Sequence, residues 1–287
     1  MPSFQTSLSS FRVGSSACCV IASSGGPPPN APTGVSARLV NGATDVRISW
    51  SYTGPAVDKF QVYFSTAYDP TRAGYALLQD NIPAAQTTFD HMGAGTGNPN
   101  SYFYFVRAAN VGGTANSVEQ AAKFTRALPT AGWNLVSIPV TLQDTSLASA
   151  FQTMNWRTAR TYVASDPADK WKAWSNAKNN GDLRTVSAGM ALWVDIVGAD
   201  DFTVAGQVPA NTAITLVPNT WNFVGYGSFI VRGANVAFPV GLGVTSMEAY
   251  APVPQYYLQR VPMTTNLEPG KGYWVYATTG GMWTVTN

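Results

Sequence analysis

The chain has 287 residues, of which only 11% are Asp, Glu, Lys or Arg, and its formal net charge is +2 at pH 7. Its Lys and Arg residues are scattered singly, which excludes the basic stripe that binding a nucleic-acid backbone requires. No run approaches the roughly 18 apolar residues of a membrane-spanning helix. We therefore expect no nucleic-acid partner and no membrane span. Frequent Gly and Pro favour short strands joined by turns.

Residues 1–29 are predicted to form an extended N-terminal anchoring arm. The segment ends in a flexible glycine pair followed by three prolines, which favour a stiff extended step. The residues before that step are too few to bury a core of their own. We therefore expect another protein of a virion or surface assembly to cover the arm, and we expect the chain to form a homo-oligomer within that assembly.

Both cysteines of the chain, Cys18 and Cys19, lie in the segment SSACCVIASS of this arm. Adjacent cysteines cannot easily bond each other without strain, which disfavours an intrachain disulfide. Three interpretations stay open: small buried apolar side chains, an intermolecular crosslink and an acylation site. Because the sequence begins with Met1 and no cluster of positive charge precedes the segment, we expect no cleaved signal peptide.

Residues 30–127 show the pattern of short β-strands separated by Gly, Asn and Pro turns. Pro32, the strand residue Trp50, and the alternating run from Tyr102 to Asn110 before a Gly-Gly turn resemble a fibronectin type III domain. The resemblance implies a sandwich of two sheets. In such sandwiches the tryptophan packs between the sheets and the tyrosine hydroxyl bonds back to a nearby loop, so both residues are assigned structural roles.

After residue 128 the sequence repeats itself. The block GMALWVDIVGADDFTVAG (189–206) aligns without a gap with GKGYWVYATTGGMWTVTN (270–287). Upstream of these blocks, GWNLVSIPV (132–140) corresponds to TWNFVGYGS (220–228). Because a solenoid usually needs three or more repeats to bury a continuous core, two copies predict a pseudo-symmetric pair of β-rich repeats.

Four tryptophans occupy aligned positions in the two copies: Trp133 with Trp221, and Trp193 with Trp274. A structural requirement that occurs once in each copy explains why a residue recurs. The four side chains are therefore predicted to fill equivalent core positions and to have a structural role.

A single helix is predicted over the segment DTSLASAFQTM (144–154). Asp144 or Thr145 can cap its N-terminus, and apolar residues recur at three- and four-residue steps from Leu147 onward. The corresponding segment 233–247 fits a helix poorly. Helix content should therefore be small.

The repeats resemble the "GWN-apolar-apolar-S-x-P … GYW-V" modules that follow fibronectin-like domains in many surface proteins of bacteria and archaea. Each copy departs from that pattern, since FVGYG replaces LVSIP in the second copy and GMALW replaces GKGYW in the first. The resemblance implies an extracellular or particle-surface role and no particular chemistry.

Other aromatic residues have no counterpart in the opposite copy. Trp171, Trp174, Tyr256 and Tyr257 lie among polar residues of the divergent middle segments. Exposed aromatic pairs can stack on sugar rings or anchor an interface, so these four are candidate contacts to a ligand or a partner. The alternative is that they pack onto the neighbouring repeat, because large aromatic side chains are mostly buried.

No pattern of residues indicates a catalytic site. Asp200 and Asp201 could supply the paired carboxylates of a glycosidase, but the aligned residues of the second copy are Gly280 and Gly281. His91 lies in a Gly-rich turn without a second His or Cys nearby, which argues against zinc, and the segment SDPAD lacks the spacing of a calcium loop. We expect no catalytic residue, no cofactor, no bound metal and no enzyme activity.

The chain is therefore predicted to be all-β, with a fibronectin III-like sandwich (30–128), two tandem pseudo-symmetric β-rich repeats (129–209 and 210–287) and little helix. The first functional hypothesis is a non-enzymatic structural or display protein on a particle surface. It places the protein on a tailed-phage virion, as a head decoration, tail or fibre protein held by residues 1–29. The second hypothesis is a secreted or cell-surface adhesion module that binds a glycan, such as a host-surface glycan.

Overall fold

The computed structural model describes residues 26–251 and 257–287, and almost all of their regular structure is β-strand. The helices in these residues are α1 (Leu147–Ala150) and α2 (Ala234–Ala237), and Val240–Leu242 form a short 3-10 helix. The prediction of an all-β fold with little helix is confirmed. None of the helices in the described ranges has the length and apolar character needed to cross a membrane.

The first part of the chain forms a sandwich of antiparallel strands. Its strands are β1 (Thr33–Val40), β2 (Asp45–Ser51), β3 (Lys59–Ser65), β4 (Ala76–Pro83), β5 (Thr88–His91), β6 (Tyr102–Asn110), β7 (Gly113–Asn116) and β8 (Ala121–Leu128). One sheet has the order β1-β2-β5; the other has the order β4-β3-β6-β8, with β7 also paired to β6. This is the strand order of a fibronectin III-like sandwich, so that part of the fold prediction is confirmed.

The sandwich core contains the two residues to which the fibronectin resemblance gives structural roles. Trp50 is 4% exposed and meets the ring of Phe60 edge-on, with ring centroids 5.4 Å apart. The hydroxyl of Tyr102 accepts a hydrogen bond from Nδ2 of Asn98, in the loop before β6, at 3.0 Å. These contacts tie the loop to the strand and fill the space between the sheets.

The rest of the chain forms two β-units. The first β-unit comprises β8, β9 (Gly132–Ser137), β10 (Trp156–Tyr162), β11 (Trp171–Ser175), β12 (Asn180–Gly181), β13 (Ala191–Ile196) and β14 (Asp200–Gln207). The second β-unit comprises β15 (Asn211–Leu216), β16 (Thr220–Gly225), β17 (Arg232–Gly233), β18 (Val244–Ala251), β19 (Tyr257–Val261), β20 (Asn266–Leu267), β21 (Gly272–Ala277) and β22 (Gly281–Thr286).

The two β-units have the same strand order. In the first, β11-β10-β13-β9 form one sheet and β8 pairs with β14; in the second, β19-β18-β21-β16 form one sheet and β15 pairs with β22. Aligned residues also pair in the same register: Arg160 lies opposite Trp193, as Glu248 lies opposite Trp274. The described strands therefore form two tandem pseudo-symmetric units, as the sequence predicts.

Strand β8 belongs both to the sandwich and to the first β-unit. It pairs with β6 on one side and with β14 on the other, so β14 extends the sandwich sheet. The predicted domain boundaries at 128 and 209 stay predictions. Strand β8 ends at the first boundary and pairs with one strand before it and one strand after it.

The helix predicted over 144–154 is shorter than expected. Its N-cap is Ser146, whose side chain accepts a hydrogen bond from the N–H of Ser149, so neither Asp144 nor Thr145 caps it. The backbone leaves helical geometry at Phe151, where φ is −112° and ψ is 18°. The second β-unit, whose segment 233–247 fits a helical pattern poorly, has the one-turn α2 at the equivalent place.

The β-units meet at a junction with approximate two-fold symmetry. The N–H of Ser137 donates to the carbonyl of Gly270 at 2.9 Å, and the N–H of Gly225 donates to the carbonyl of Gly189 at 2.8 Å. Ser137 aligns with Gly225 and Gly189 aligns with Gly270, so the two units exchange equivalent hydrogen bonds. A Cβ atom at Gly225 would lie 2.4 Å from the Cβ of Ser137, which explains why a glycine stands there.

Candidate functional site

Each β-unit sheet has one face in a hydrophobic core and one face turned outward. In β13, Leu192, Val194 and Ile196 are fully buried in the core of the first unit. Because side chains alternate along a strand, Trp193 and Asp195 point to the opposite face. The outward faces of both sheets approach each other, and their aromatic residues contact one another between the two units.

The aromatic residues between the units form reciprocal pairs. Trp193 of the first unit meets Tyr250 of the second with ring centroids 4.7 Å apart, and Trp274 of the second unit meets Tyr162 of the first at 5.0 Å. Phe223 lies between the pairs, 6.3 Å from Trp193 and 4.8 Å from Trp274 by ring centroids. Trp193 aligns with Trp274 and Tyr162 aligns with Tyr250, so each copy supplies one tryptophan and one tyrosine, which explains why both aromatic positions recur.

Beyond these pairs the two sheets leave an open cavity of about 630 Å³, which we call the aromatic groove. It is lined by Trp133, Arg160, Trp171, Ala173, Trp193 and Tyr250. The volume falls in the range of small-molecule binding sites, which are also lined mostly by apolar and aromatic side chains with a few polar groups. The Trp171 side chain is 45% exposed, so a ring face is available to a ligand.

One cation lies in the aromatic groove. The guanidinium carbon of Arg160 sits 5.2 Å from the ring centroid of Trp133, in a cation–π contact. The small side chain of Ala173 faces Arg160 on the neighbouring strand, which leaves space beside the guanidinium. The groove therefore offers flat aromatic surfaces next to one positively charged hydrogen-bond donor.

Of the four unrepeated aromatic residues that the sequence singles out, the structure describes the side chains of Trp171 and Trp174. Trp171 lines the aromatic groove, but Trp174 lies three residues further along β11 and points to the other face, where it packs on the core and under Arg184. Tyr257 is the first residue of β19, and only its backbone position is described. Tyr256 lies outside the described residues, as do Cys18 and Cys19.

The repeated tryptophans are half-buried, and two of them, Trp193 and Trp274, pack against the small buried cluster of Leu135, Ala191 and Phe223. The sequence predicts interior positions for Trp133, Trp193, Trp221 and Trp274, but all four are half-buried on the outward faces of the unit sheets. The inward positions are taken by smaller neighbours such as Val194. Alternation along β13 would have revealed this, because the aliphatic residues on either side of Trp193 share the core face. Four residues of the groove are not among the ligand contacts predicted from the sequence: Trp133, Arg160, Trp193 and Tyr250.

The asparagine of each Trp-Asn pair is the buried member. Asn134 and Asn222 are each 2% exposed. Nδ2 of Asn222 donates to the carbonyls of Val217 and Thr220, and its Oδ1 accepts from the N–H of Val217 at 2.7 Å. Nδ2 of Asn134 donates to the carbonyls of Thr130 and Gly132, at the turn between β8 and β9. These side chains close the turn that precedes the strand, which explains why the dipeptide recurs.

Several carboxylates of the first β-unit have ionic partners. Asp195 accepts from Arg157 at 3.0 Å, and Lys172 pairs with Asp166 at 2.9 Å and with Asp169 at 3.1 Å. Hydrogen bonds from the N–H of Asp169 and from Lys172 lower the pKa of Asp166 to about 2. Asp166 is thus an ionised partner of Lys172 at neutral pH, and its environment disfavours the protonated form that a proton donor needs.

The other sequence candidates for chemistry lie apart from the groove. Asp200 and Asp201 begin β14, where Asp200 accepts from the N–H of Asn155 at 2.9 Å. His91 lies in the sandwich with Nδ1 3.0 Å from the hydroxyl of Tyr104, and burial lowers its pKa. In the described ranges, no group of three or more His, Cys, Asp or Glu residues could hold a metal ion.

Comparison with known proteins adds little to this geometry. No protein-family model and no curated protein matches the chain. Among solved structures, a Fn3-like protein from Clostridium thermocellum is 29% identical, with 31% of this chain and 85% of that chain covered and a TM-score of 0.26. The FN1–FN3 domains of chicken CNTN1 are 10% identical, with 90% of this chain and 99% of that chain covered and a TM-score of 0.28. Both TM-scores are low, so the fold assignment rests on the strand order.

Proposed function

We propose that this chain is a non-enzymatic surface-display protein that binds a carbohydrate in the aromatic groove. The single observation that carries the proposal is the exposed face of Trp171 beside Trp133, Trp193 and Tyr250 in a cavity of about 630 Å³. A pyranose ring has an apolar face of C–H groups, which packs well on a flat aromatic ring. Three indole rings around one cavity supply such surfaces in several orientations.

The rigidity of the groove supports binding. Two of its lining residues, Trp193 and Tyr250, contact each other across the unit junction, and Trp171 contacts Trp274 at 5.9 Å between ring centroids. Side chains held in place before the ligand arrives lose less conformational entropy on binding. The groove therefore resembles a preformed site more than a surface that must rearrange.

The absence of enzyme activity is part of the proposal. A glycoside hydrolase needs two carboxyl groups that flank the scissile bond, one of them protonated at the working pH. Aspartates near the groove, such as Asp195 and Asp166, are instead ion-paired. Hydrogen bonds also lower the pKa of Asp166 to about 2, which supports recognition without cleavage.

For the location of the protein, we propose the surface of a particle, with a tailed-phage head, tail or fibre first and the outer surface of a cell as the alternative. The resemblance to modules of microbial surface proteins supports either placement. The last residues of the predicted arm lie on the sandwich, where Nδ2 of Asn110 donates to the carbonyl of Pro27 at 3.0 Å. This contact holds the end of the predicted arm against the sandwich, which supports an anchoring role.

A glycan array tests the binding proposal. We expect the wild-type chain to bind a subset of glycans and Trp171→Ala to lose at least about ten-fold in affinity, because one well-placed aromatic contact contributes on the order of 1–2 kcal/mol. Trp221→Ala is the matched control, since Trp221 is a half-buried tryptophan that does not line the groove. Failure of the wild-type chain to bind any glycan, or equal losses in both variants, would refute the proposal.

A pull-down from purified particles tests the location. We expect the full chain to remain attached to virions or to a surface assembly after washing, and a variant that lacks residues 1–25 to be released. Equal retention of the two forms would contradict the anchoring role of the arm.

A further inference from the structure

We propose that the aromatic groove selects an acidic sugar, with Arg160 as the residue that binds the carboxylate of a sugar unit stacked in the groove. This inference deepens the proposed function and rests on it. It concerns which carbohydrates bind, and it depends on features of Arg160 that stacking alone does not need.

The guanidinium of Arg160 is placed as a recognition group. It lies over the ring of Trp133 at 5.2 Å, in a groove lined by aromatic side chains. Arg160 is exposed, and it makes no hydrogen bond or ion pair with any residue in the described ranges. Because no side chain or backbone group in the described ranges accepts from it, the N–H donors of the guanidinium are available for a bidentate carboxylate.

The neighbouring charges favour an anion at this place. Asp195, a carboxylate on the same face of this sheet, lies opposite Trp133 and pairs with Arg157 at 3.0 Å. Lys170 adds a second cation near the groove, with Nζ 5.9 Å from the ring centroid of Tyr162. Tyr162 in turn contacts Trp171, so positive charge flanks the aromatic surface on two sides.

The position of Arg160 limits the kind of acid. On the sheet, Arg160 stands directly between Ala173 and Trp193. A carboxylate attached directly to the sugar ring suits this arrangement best, because Arg160 and the tryptophans line the same cavity. Sugar acids such as uronic acids carry such a carboxylate. The aligned residue of the second unit is Glu248, so the two units differ in charge at this position and only the first offers the cation.

Isothermal titration with oligogalacturonate tests the inference. Its methyl ester is the matched neutral ligand, because it keeps the sugar rings and removes the charge. We expect the wild-type chain to bind the acid about 10-fold or more tightly than the ester, the difference that a charge-assisted hydrogen bond supplies. The preference should weaken as salt concentration rises.

Variants of Arg160 assign the preference to its side chain. Arg160→Gln should bind the acid and the ester with equal affinity, and Arg160→Lys should keep part of the preference, because lysine keeps the charge without the planar fork. Arg38→Gln is the control for net charge, since Arg38 is an exposed arginine on β1 of the sandwich. That variant should bind like the wild-type chain.

The outcomes separate this inference from the proposed function. Equal wild-type affinity for acid and ester, or an acid preference that survives in Arg160→Gln, overturns the role of Arg160. If binding still depends on Trp171 in that case, the groove proposal stands. Poly-L-glutamate that binds as tightly as oligogalacturonate overturns sugar recognition in favour of an acidic peptide. No binding of any sugar overturns both proposals.

Discussion

Trp193 of the first β-unit meets Tyr250 of the second edge-on, with ring centroids 4.7 Å apart. The aligned residues Trp274 and Tyr162 form the equivalent contact at 5.0 Å. Each copy of the repeat thus supplies the tryptophan for one pair and the tyrosine for the other. The duplication therefore has a structural consequence: the repeated aromatics hold the two units together, and the groove opens beside them.

Phe223 lies at the centre of this contact, so its removal should loosen the junction. It is 8% exposed and packs against both Trp193 and Trp274. We expect Phe223→Ala to lower the free energy of unfolding by about 3–5 kcal/mol. Trp221→Ala should cost only about 1–2 kcal/mol, because Trp221 is half-buried and pairs with Tyr276 alone. Urea unfolding measures both, and equal costs would show that Phe223 does not hold the junction.

Gly225 is a second test of the junction. An added Cβ would lie 2.4 Å from the Cβ of Ser137 and 2.9 Å from the carbonyl oxygen of Gly189, which already accepts the N–H of Gly225. We expect Gly225→Ala to destabilise the chain by about 1–3 kcal/mol, because the units must move apart. Gly241 is exposed, and a Cβ added there would have no atom of another residue within 4 Å, its chain neighbours aside. Gly241→Ala should therefore change the free energy of unfolding by less than about 0.5 kcal/mol. Thermal unfolding that gives the two variants the same midpoint would contradict the close packing.

The two asparagines of the Trp-Asn pairs should differ in their contribution to stability. Asn222 accepts a hydrogen bond from the N–H of Val217, whereas the residue aligned with Val217 is Pro129, which has no N–H to donate. We expect Asn222→Ala to cost about 2–4 kcal/mol, and Asn134→Ala to cost about 1 kcal/mol less. Chemical denaturation of both variants tests the order, which the opposite ranking would contradict.

His91 should make stability fall as the pH falls below neutral. Burial in the sandwich lowers its pKa from the ordinary value of 6.5, so the unfolded chain binds the proton more readily than the folded chain. The unfolding free energy should therefore decrease as the pH drops from 6.5 through the folded pKa. As the one histidine in the sequence, His91 is the only imidazole that contributes there. His91→Gln should flatten the profile between about pH 7 and pH 5, and an unchanged slope would exclude this source.

Much of the fold could be predicted because its signals are local. Alternation around Trp50 and in the run from Tyr102 to Asn110 is a period-two pattern, and such a pattern indicates strands directly. The aligned blocks revealed the duplication without any structure. The shared role of β8 could not be predicted in this way, because its pairing with β6 and with β14 depends on contacts between segments far apart in the sequence.

The site was only partly predictable. Their polar neighbours single out both Trp171 and Trp174 as candidate contacts, but three-residue spacing on a strand puts the two on opposite faces. The recurrence of Trp193 at the aligned position of both copies predicts a core position within its own unit. In fact its position recurs because it contacts Tyr250 of the opposite unit, and no single-unit pattern contains that contact.

The indole N–H signals of the nine tryptophans offer the most direct test of the central claim that the aromatic groove binds a carbohydrate. They should be followed by NMR as a glycan that binds on the array is titrated into the chain. We predict that the signals of Trp133, Trp171 and Trp193 shift, while those of the buried Trp50 and Trp283 stay in place. Binding that leaves the three groove signals unchanged, or that shifts Trp50 instead, would contradict the account.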